Sequence, residues 1–321
     1  MLDGATLAPG DNPWDEVAEL GQLVVYERTP LHLVVERTAA ADIVLTNKTP
    51  LNAASLEALP RLRMIGVLAT GTNVVDLDAA GRLGIVVANV PEYSTDSVAQ
   101  HVFALLLDVT NVVAEHADAV RAGRWAASPD FSFWLRPTTE LAGKTFGIIG
   151  HGRIGARAGQ IAHALRMNVL AYSPSRRVVA EYQPFAWGSV EEIFASADVV
   201  SLHCPLTPQN ERFVSAERLS SMRPGSVLLN TSRGALIDEV ALAAALRAGR
   251  PAAAALDVLS QEPPPIDHPL LLADNCRITP HIAWSSVAAR RRLMHETAAN
   301  IRAFMNGSPR NVVPAPSRGE A

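Results

Sequence analysis

The chain has 321 residues, with 28 Lys and Arg against 32 Asp and Glu and a net charge of -4. That length is enough for two domains, each with its own core, and the near balance of charge offers phosphates no broad basic surface, so nucleic acid is not an expected partner. Its two cysteines, Cys204 and Cys276, are far apart and outside any CxxC spacing, which indicates neither a disulfide framework nor a thiolate zinc site and suits a reducing, cytoplasmic compartment. Asp3 stands where a secretory leader carries basic residues, and the longest apolar stretch, 102–107, stops at Asp108. The expectation is a chain that is neither secreted nor membrane-spanning.

Taken in chain order, apolar runs at 23–26, 43–46, 64–68 and 85–88 predict the strands of a small open sheet, with helices at 54–59 and 77–83 among them. Met1-Leu2-Asp3 reads as the end of a strand whose beginning is missing. One long amphipathic helix is predicted from about Asp96 to Arg121, with Ser94 or Thr95 as N-cap and Gly123 as its stop. An irregular aromatic loop, 131–135, follows. Further runs at 145–149, 168–172, 199–202, 226–229, 253–257 and 277–279 alternate with helical segments. Six buried parallel strands joined by crossover helices make an α/β, doubly wound nucleotide-binding sheet. A last helix over 287–306 and a Pro-containing tail close the chain.

Gly150-His151-Gly152-Arg153-Ile154-Gly155 lies between a predicted strand and a predicted helix. That context fits a dinucleotide fingerprint, in which glycines allow the tight turn, close approach to a pyrophosphate, and packing of helix on strand. The bland alternative, an ordinary glycine-rich turn, does not account for the five further strands. An acid about 20 residues on normally holds the ribose hydroxyl of NAD. Here the second strand runs instead into Ser173, Ser175, Arg176 and Arg177, groups suited to a ribose 2′-phosphate, so NADPH is the expected cofactor, with NADH also admitted.

Arg233, Asp257 and His281 stand at or just beyond predicted strand ends, where open α/β sheets bind ligands, and Glu262 follows in the loop after Asp257. An imidazole oriented by a carboxylate, beside an arginine, supplies the proton donor, orienter and carboxylate clamp for reducing a 2-oxo acid. Singly, each has a structural alternative: an Arg233–Glu262 ion pair, or an interior histidine at 281. Several look-alikes fall away. The Gly143-Lys144-Thr145 segment precedes its strand, and His295-Glu296 lacks a second histidine. His101, His116 and His163 read as helix-face or interface residues rather than ligands.

At these residues the sequence resembles the D-isomer-specific 2-hydroxyacid dehydrogenase family. The pieces stand in the family's order: Gly150 to Gly155, Asn230-Thr231-Ser232-Arg233-Gly234, Leu256-Asp257-Val258 with Glu262-Pro263, and Thr279-Pro280-His281-Ile282. Residues 41–49, 65–76, 94–100 and 131–134 are similar to its glycerate dehydrogenase or hydroxypyruvate reductase branch. The resemblance implies a Rossmann-type domain, 98–284, inserted into a smaller flavodoxin-like substrate domain, 1–97 with 285–321, and a cleft that closes at the two crossings. It implies Arg233 on the substrate carboxylate and carbonyl, His281 as acid/base, and Glu262 as its partner. It places Ala69, Thr70, Gly71 and Trp134 on the substrate. Thr95, His203, Cys204, Pro205, Thr231, Ser232 and Asp257 are placed with the glycine loop on the cofactor, Asp257 facing the nicotinamide carboxamide.

The activity expected from this is reduction of hydroxypyruvate or glyoxylate to D-glycerate or glycolate with NADPH. A related 2-oxo acid or phosphite dehydrogenase, and a dinucleotide-sensing protein without catalysis, are the alternatives. An apolar face of Val98, Val102, Leu105, Leu106 and Val109, together with the aromatic loop, leads to a homodimer as the expected assembly.

Overall fold

Short runs of Val, Ile, Leu and Ala cannot bury all of their surface as helices of four residues, but as central parallel strands they can, and that is what they become. The computed structural model describes residues 1–7, 10, 12–176, 178 and 180–314. The chain divides into two compact units, Met1–Ser94 with Ser285–Ala321, and Thr95–Trp284.

The first unit holds a three-stranded parallel sheet of β1 (Ile43–Thr46), β2 (Met64–Val67) and β3 (Val86–Ala88), in that order. Ile43 pairs with Met64, and Met64 with Val86. All four residues of β2 are buried, and Val44, Leu56, Ile65 and Val87 share one core. Asn52 and Asp76 cap the intervening helices by accepting from Ser55 N–H and Ala79 N–H, each at 2.9 Å. The final helix, Val287–Met305, starts at the Ser286 cap and buries Leu293, Ala298 and Ile301. The predicted strand at 23–26 does not form, nor does one at Met1-Leu2-Asp3. Val24 and Val25 are 51% and 40% exposed. Instead the segments exchange isolated bonds: Met1 donates to Val24 O (2.8 Å), Tyr26 N–H to Met1 O (2.9 Å) and Leu2 N–H to Leu45 O (3.0 Å).

The second unit is a seven-stranded, all-parallel sheet of β4 (Thr145–Ile149), β5 (Asn168–Tyr172), β6 (Phe185–Trp187), β7 (Val199–Leu202), β8 (Val227–Asn230), β9 (Ala253–Leu256) and β10 (Cys276–Ile278). Its order is β10-β9-β8-β7-β4-β5-β6. The chain winds outward from β4 through β5 and β6, then returns to lay β7 on β4's other side, so the topological switch lies between β4 and β7. One strand, β6, escapes the sequence reading. It has only three residues, none fully buried, and it pairs with β5 alone, so it carries no continuous apolar run.

The predicted helix from Asp96 to Arg121 is two helices, Thr95–Asn111 and Val113–Arg121, bent by 57°. Val112 between them has φ +55°, and its carbonyl accepts both the His116 N–H (3.1 Å) and the His116 ring Nδ1 (2.8 Å). Apolar periodicity continues across such a break, because the reversal is a backbone event that leaves Val112 buried. Gly123 does end the second helix: at φ +82° it donates to Val120 O while Arg124 donates to Ala119 O, both at 3.0 Å. The apolar face expected to form a dimer is used within the unit. Val98, Val102, Leu105 and Leu106 are buried, and the last three pack with Phe146, Ile148, Leu229 and Ala255, leaving Val109 at that core's margin. Among the described residues no single helix is long and apolar enough to cross a membrane.

Candidate active site

The turn after β4 shows why each glycine of the fingerprint is a glycine. Gly150 takes φ +100°, and a Cβ there would sit 2.5 Å from Cys204 N. Gly155 brings its helix so close that a Cβ would meet Gly150 O at 2.3 Å. Gly152 faces open space, with nothing within 4 Å of a would-be Cβ. It is also the N-cap of the Arg153–Ala164 helix and gives that helix no side-chain cap, so the first-turn N–H groups, Arg153 and Ile154 among them, point at this space. A bare backbone shelf at a helix N-terminus fits a pyrophosphate.

The walls of the shelf come from neighbouring strand ends. Ile149 of β4 pairs with Leu202 of β7, which sets His203, Cys204 and Pro205 beside Gly150. His203 Nε2 lies 2.9 Å from Ser201 Oγ; burial, with His151 nearby, pushes its pKa down to about 4 and keeps the ring neutral. Burial pushes the Cys204 thiol up to about 11, so it stays protonated. After β8, Ser232 is fixed by its N–H on Asn230 Oδ1 (2.9 Å) and its hydroxyl on Leu202 O (2.8 Å). The buried Thr231 Oγ1 and His203 Nδ1 have no hydrogen-bond partner among the described residues, which leaves polar atoms for a bound molecule. Thr95 opens the first helix of this unit.

At the tip of β5, Ser173 is half-buried while Ser175 and Arg176 are exposed. The Arg176 guanidinium carbon lies 5.5 Å from the centroid of the Trp187 ring on β6, so an edge strand missed in the sequence orients the arginine chosen from it. Arg177 lies outside the described residues. His151, which the motif leaves unspecified, is 1% exposed and sits 5.2 Å from both the Phe185 and Trp187 rings. Its Nδ1 donates to Val178 O at 3.1 Å, tying the loop after β5 to the glycine turn, and burial holds its pKa below the usual imidazole value.

The two side chains expected as a pair, His281 and Glu262, are in contact. His281 Nδ1 is 2.6 Å from Glu262 Oε2, and Glu262 Oε1 accepts the Leu259 N–H at 3.1 Å. Nε2 of His281 has no hydrogen-bond partner among the described residues. Arg233 follows β8 and is held by its Nη1 on Ser232 O (2.7 Å) and by its carbonyl, which accepts from Asn230 Nδ2 (2.8 Å). Next to it, a Cβ on Gly234 would meet Leu259 C at 1.9 Å, so the loop bearing Glu262 packs directly on the arginine's turn. Asp257 is 1% exposed. It accepts from Thr279 Oγ1 (2.6 Å), Ile282 N–H (2.9 Å) and Ala283 N–H (2.8 Å). Burial alone would raise its pKa, but those bonds and one from His101 hold the carboxyl below its ordinary range. His101 reaches Thr279 Oγ1 with Nε2 at 2.9 Å and is therefore part of this network, which its position on a helix face gave no means of seeing. Ala69, Thr70 and Gly71 belong to the first unit, in the loop after β2, where Ala69 O accepts the Val90 N–H at 3.0 Å and Thr70 O accepts from Asn89 Nδ2 at 2.7 Å. Trp134 is 70% exposed. Among the described residues no cluster of His, Cys, Asp or Glu could hold a metal ion.

A dinucleotide shelf at the switch point of a parallel sheet, with an imidazole–carboxylate pair at neighbouring strand ends, is the layout of a nicotinamide-dependent oxidoreductase. Residues 103–283 match the family described as D-isomer specific 2-hydroxyacid dehydrogenase, NAD binding domain. The chain is 47% identical over 316 residues to a hydroxypyruvate reductase of Blautia hydrogenotrophica, covering 98% of each sequence. It is 40% identical over 286 residues to a glycerate dehydrogenase of Methylorubrum extorquens, covering 88% of each. Among solved structures, an acyclic imino acid reductase in complex with NADPH and D-Arg superposes with a TM-score of 0.83 at 32% identity, covering 93% of this chain and 94% of that one. The chain belongs to the D-isomer-specific 2-hydroxyacid dehydrogenase family. It is an oxidoreductase that interconverts 2-oxo and 2-hydroxy acids with a nicotinamide dinucleotide.

Proposed function

We propose that this enzyme reduces hydroxypyruvate or glyoxylate to D-glycerate or glycolate, with NADPH preferred over NADH, in the cytoplasm. The observation that carries the chemistry is the 2.6 Å contact between His281 Nδ1 and Glu262 Oε2. When bound, the reduced nicotinamide supplies the hydride; the chain supplies the proton. His281 Nε2 gives that proton to the carbonyl oxygen, while Glu262 fixes the ring's orientation and stabilises its charged form. Arg233 pairs with the substrate carboxylate and polarises the carbonyl through charge-assisted hydrogen bonds. Ala69, Thr70 and Gly71 are assigned to substrate binding through their backbone N–H groups, with the first unit as the substrate domain, and Trp134 is assigned to the substrate as well. Gly150, Gly152, Gly155, Arg153 and Ile154 hold the pyrophosphate; Thr95, His203, Cys204, Pro205, Thr231 and Ser232 line the remainder.

The NADPH preference is supported by Ser173 and the nearby Arg176, since a carboxylate at 173 would repel a 2′-phosphate and serine does not. A homodimer is supported by exposed apolar residues: Phe131 and Trp134 of the aromatic loop expected there are 91% and 70% exposed, and Val113, Val120 and Trp125, in place of the buried helix face, are 62%, 41% and 51% exposed. The decisive experiment follows nicotinamide absorbance with NADPH or NADH and a panel of 2-oxo acids. Fastest turnover with hydroxypyruvate or glyoxylate and NADPH is expected. Turnover confined to other 2-oxo acids would remove the substrate assignment.

A further inference from the structure

We infer that His101 is a positioning residue for His281, acting through Thr279 and Asp257. The inference rests on His281 being the acid/base. His281 has φ +55°, a left-handed conformation that a residue with a Cβ keeps only when its surroundings hold it. The holding group is Asp257, whose two oxygens accept the N–H groups of Ile282 (2.9 Å) and Ala283 (2.8 Å), the two residues that follow His281. The residue two before it, Thr279, closes the same carboxylate from the other side, its hydroxyl on Asp257 Oδ1 at 2.6 Å.

Hydrogen counting then assigns the direction of the remaining contact. The Thr279 hydroxyl has one proton and spends it on Asp257, so at 2.9 Å from His101 Nε2 it accepts, and His101 is the donor. The same Nε2 stands 3.5 Å from Asp257 Oδ1 and adds to the donors around that carboxylate. One turn earlier on the same helix, Ser97 Oγ donates to Ala283 O at 2.7 Å. Residues 97 and 101 thus tether both ends of the 279–283 loop from one helix face, and the helix itself is anchored by the buried Val98, Val102 and Leu105. His101 contacts Thr279 and Asp257, and through them fixes the loop that aims the His281 ring.

Hydrogen exchange of the 279–284 segment in the free protein, read by mass spectrometry, tests this alongside steady-state kinetics. In His101→Phe, which keeps a ring but loses the donor, Ile282 and Ala283 should exchange roughly two- to tenfold faster, the range for one lost hydrogen bond. His101→Gln, whose amide nitrogen reaches about as far as Nε2, should restore the slow exchange. Thr279→Val should match His101→Phe, and the double variant should add nothing further. In turnover, His101→Phe should lower kcat by roughly the same factor without changing KM for NADPH, and His101→Gln should recover it. Unchanged exchange in both His101→Phe and Thr279→Val, or no rescue by His101→Gln, would overturn the inference. A His281→Asn protein with full activity would instead sink the acid/base reading, while the exchange data would still decide whether His101 positions the loop.

Discussion

At the scale of single residues, the site asks for different things from groups that look alike in the sequence. His281 exposes Nε2 and offers Nδ1 to Glu262, so His281→Asn should lower reduction by roughly 10²–10⁴-fold with the melting temperature unchanged. A normal rate in that variant, measured where chemistry limits turnover, would take His281 out of the mechanism. His203 and His151 are kept neutral by burial and serve the walls and loop instead. The glycines divide in the same way. Gly155→Ala pushes a methyl into Gly150 O and should cost roughly 1–3 kcal/mol of stability, whereas Gly152→Ala meets no protein atom and should fold normally but bind dinucleotide more weakly. Calorimetric melting beside cofactor titration separates the two, and full cofactor affinity in Gly152→Ala would argue against the shelf. At the β5 tip, Ser173→Asp should move preference toward NADH and Arg176→Ala should weaken NADPH selectively. One good charged contact is worth roughly tenfold, and the exposure of Arg176 argues against more. Equal kcat/KM for both cofactors in the parent protein at low salt would leave Arg176 as the Trp187 stacking partner only.

At the scale of elements, the Thr95–Asn111 helix shows how one amphipathic pattern is divided among several tasks. Its Val102, Phe103 and Leu106 fill the core beneath the sheet, while Ser97 and His101 bond to Ala283 and Thr279 at the two ends of the 279–283 loop. The chain then turns at Val112 and presents a new apolar surface along Val113–Arg121 and the aromatic loop after it. His116 staples that loop back, its Nε2 accepting the Leu135 N–H at 3.1 Å. Replacing Phe131 and Trp134 together by serine should therefore convert dimer to monomer in light scattering at micromolar concentration, with little loss of melting temperature, because neither side chain is buried in its own unit. A monomer mass for the parent protein would end the dimer proposal. At the other edge of the sheet, β6 is an element whose worth lies in its side chains: Phe185 and Trp187 hold His151 from one side, and Trp187 carries Arg176.

At the scale of the whole molecule, buried neutral imidazole makes stability depend on pH. His203 has a folded pKa of about 4 against 6.5 for the free side chain, so the unfolded chain binds the extra proton between these values. Its contribution is fully present above pH 6.5 and is lost as pH falls toward 4. The loss should be about 1–3 kcal/mol, and His203→Gln should flatten a melting-temperature profile across that window. An unaltered profile would mean that His203 is not protected from protons.

Much of this molecule was legible before folding was considered. The strand ends bearing Gly150, Arg233, Asp257 and His281 could be located because central parallel strands are continuous apolar runs, and in a doubly wound sheet their C-terminal ends converge on the ligand. Local spacing therefore carried the glycine turn, the pairing of His281 with Glu262 and the helix stop at Gly123. Tertiary structure alone decided that Val112 reverses the backbone, that Phe185–Trp187 pairs as an edge strand, that Leu105 and Leu106 serve the core instead of a partner, and that His101 meets Thr279 across 178 residues of sequence. The physical reason is common to all four: periodicity records that a side chain is to be buried or bonded, but its partner is chosen by packing between segments far apart in the chain.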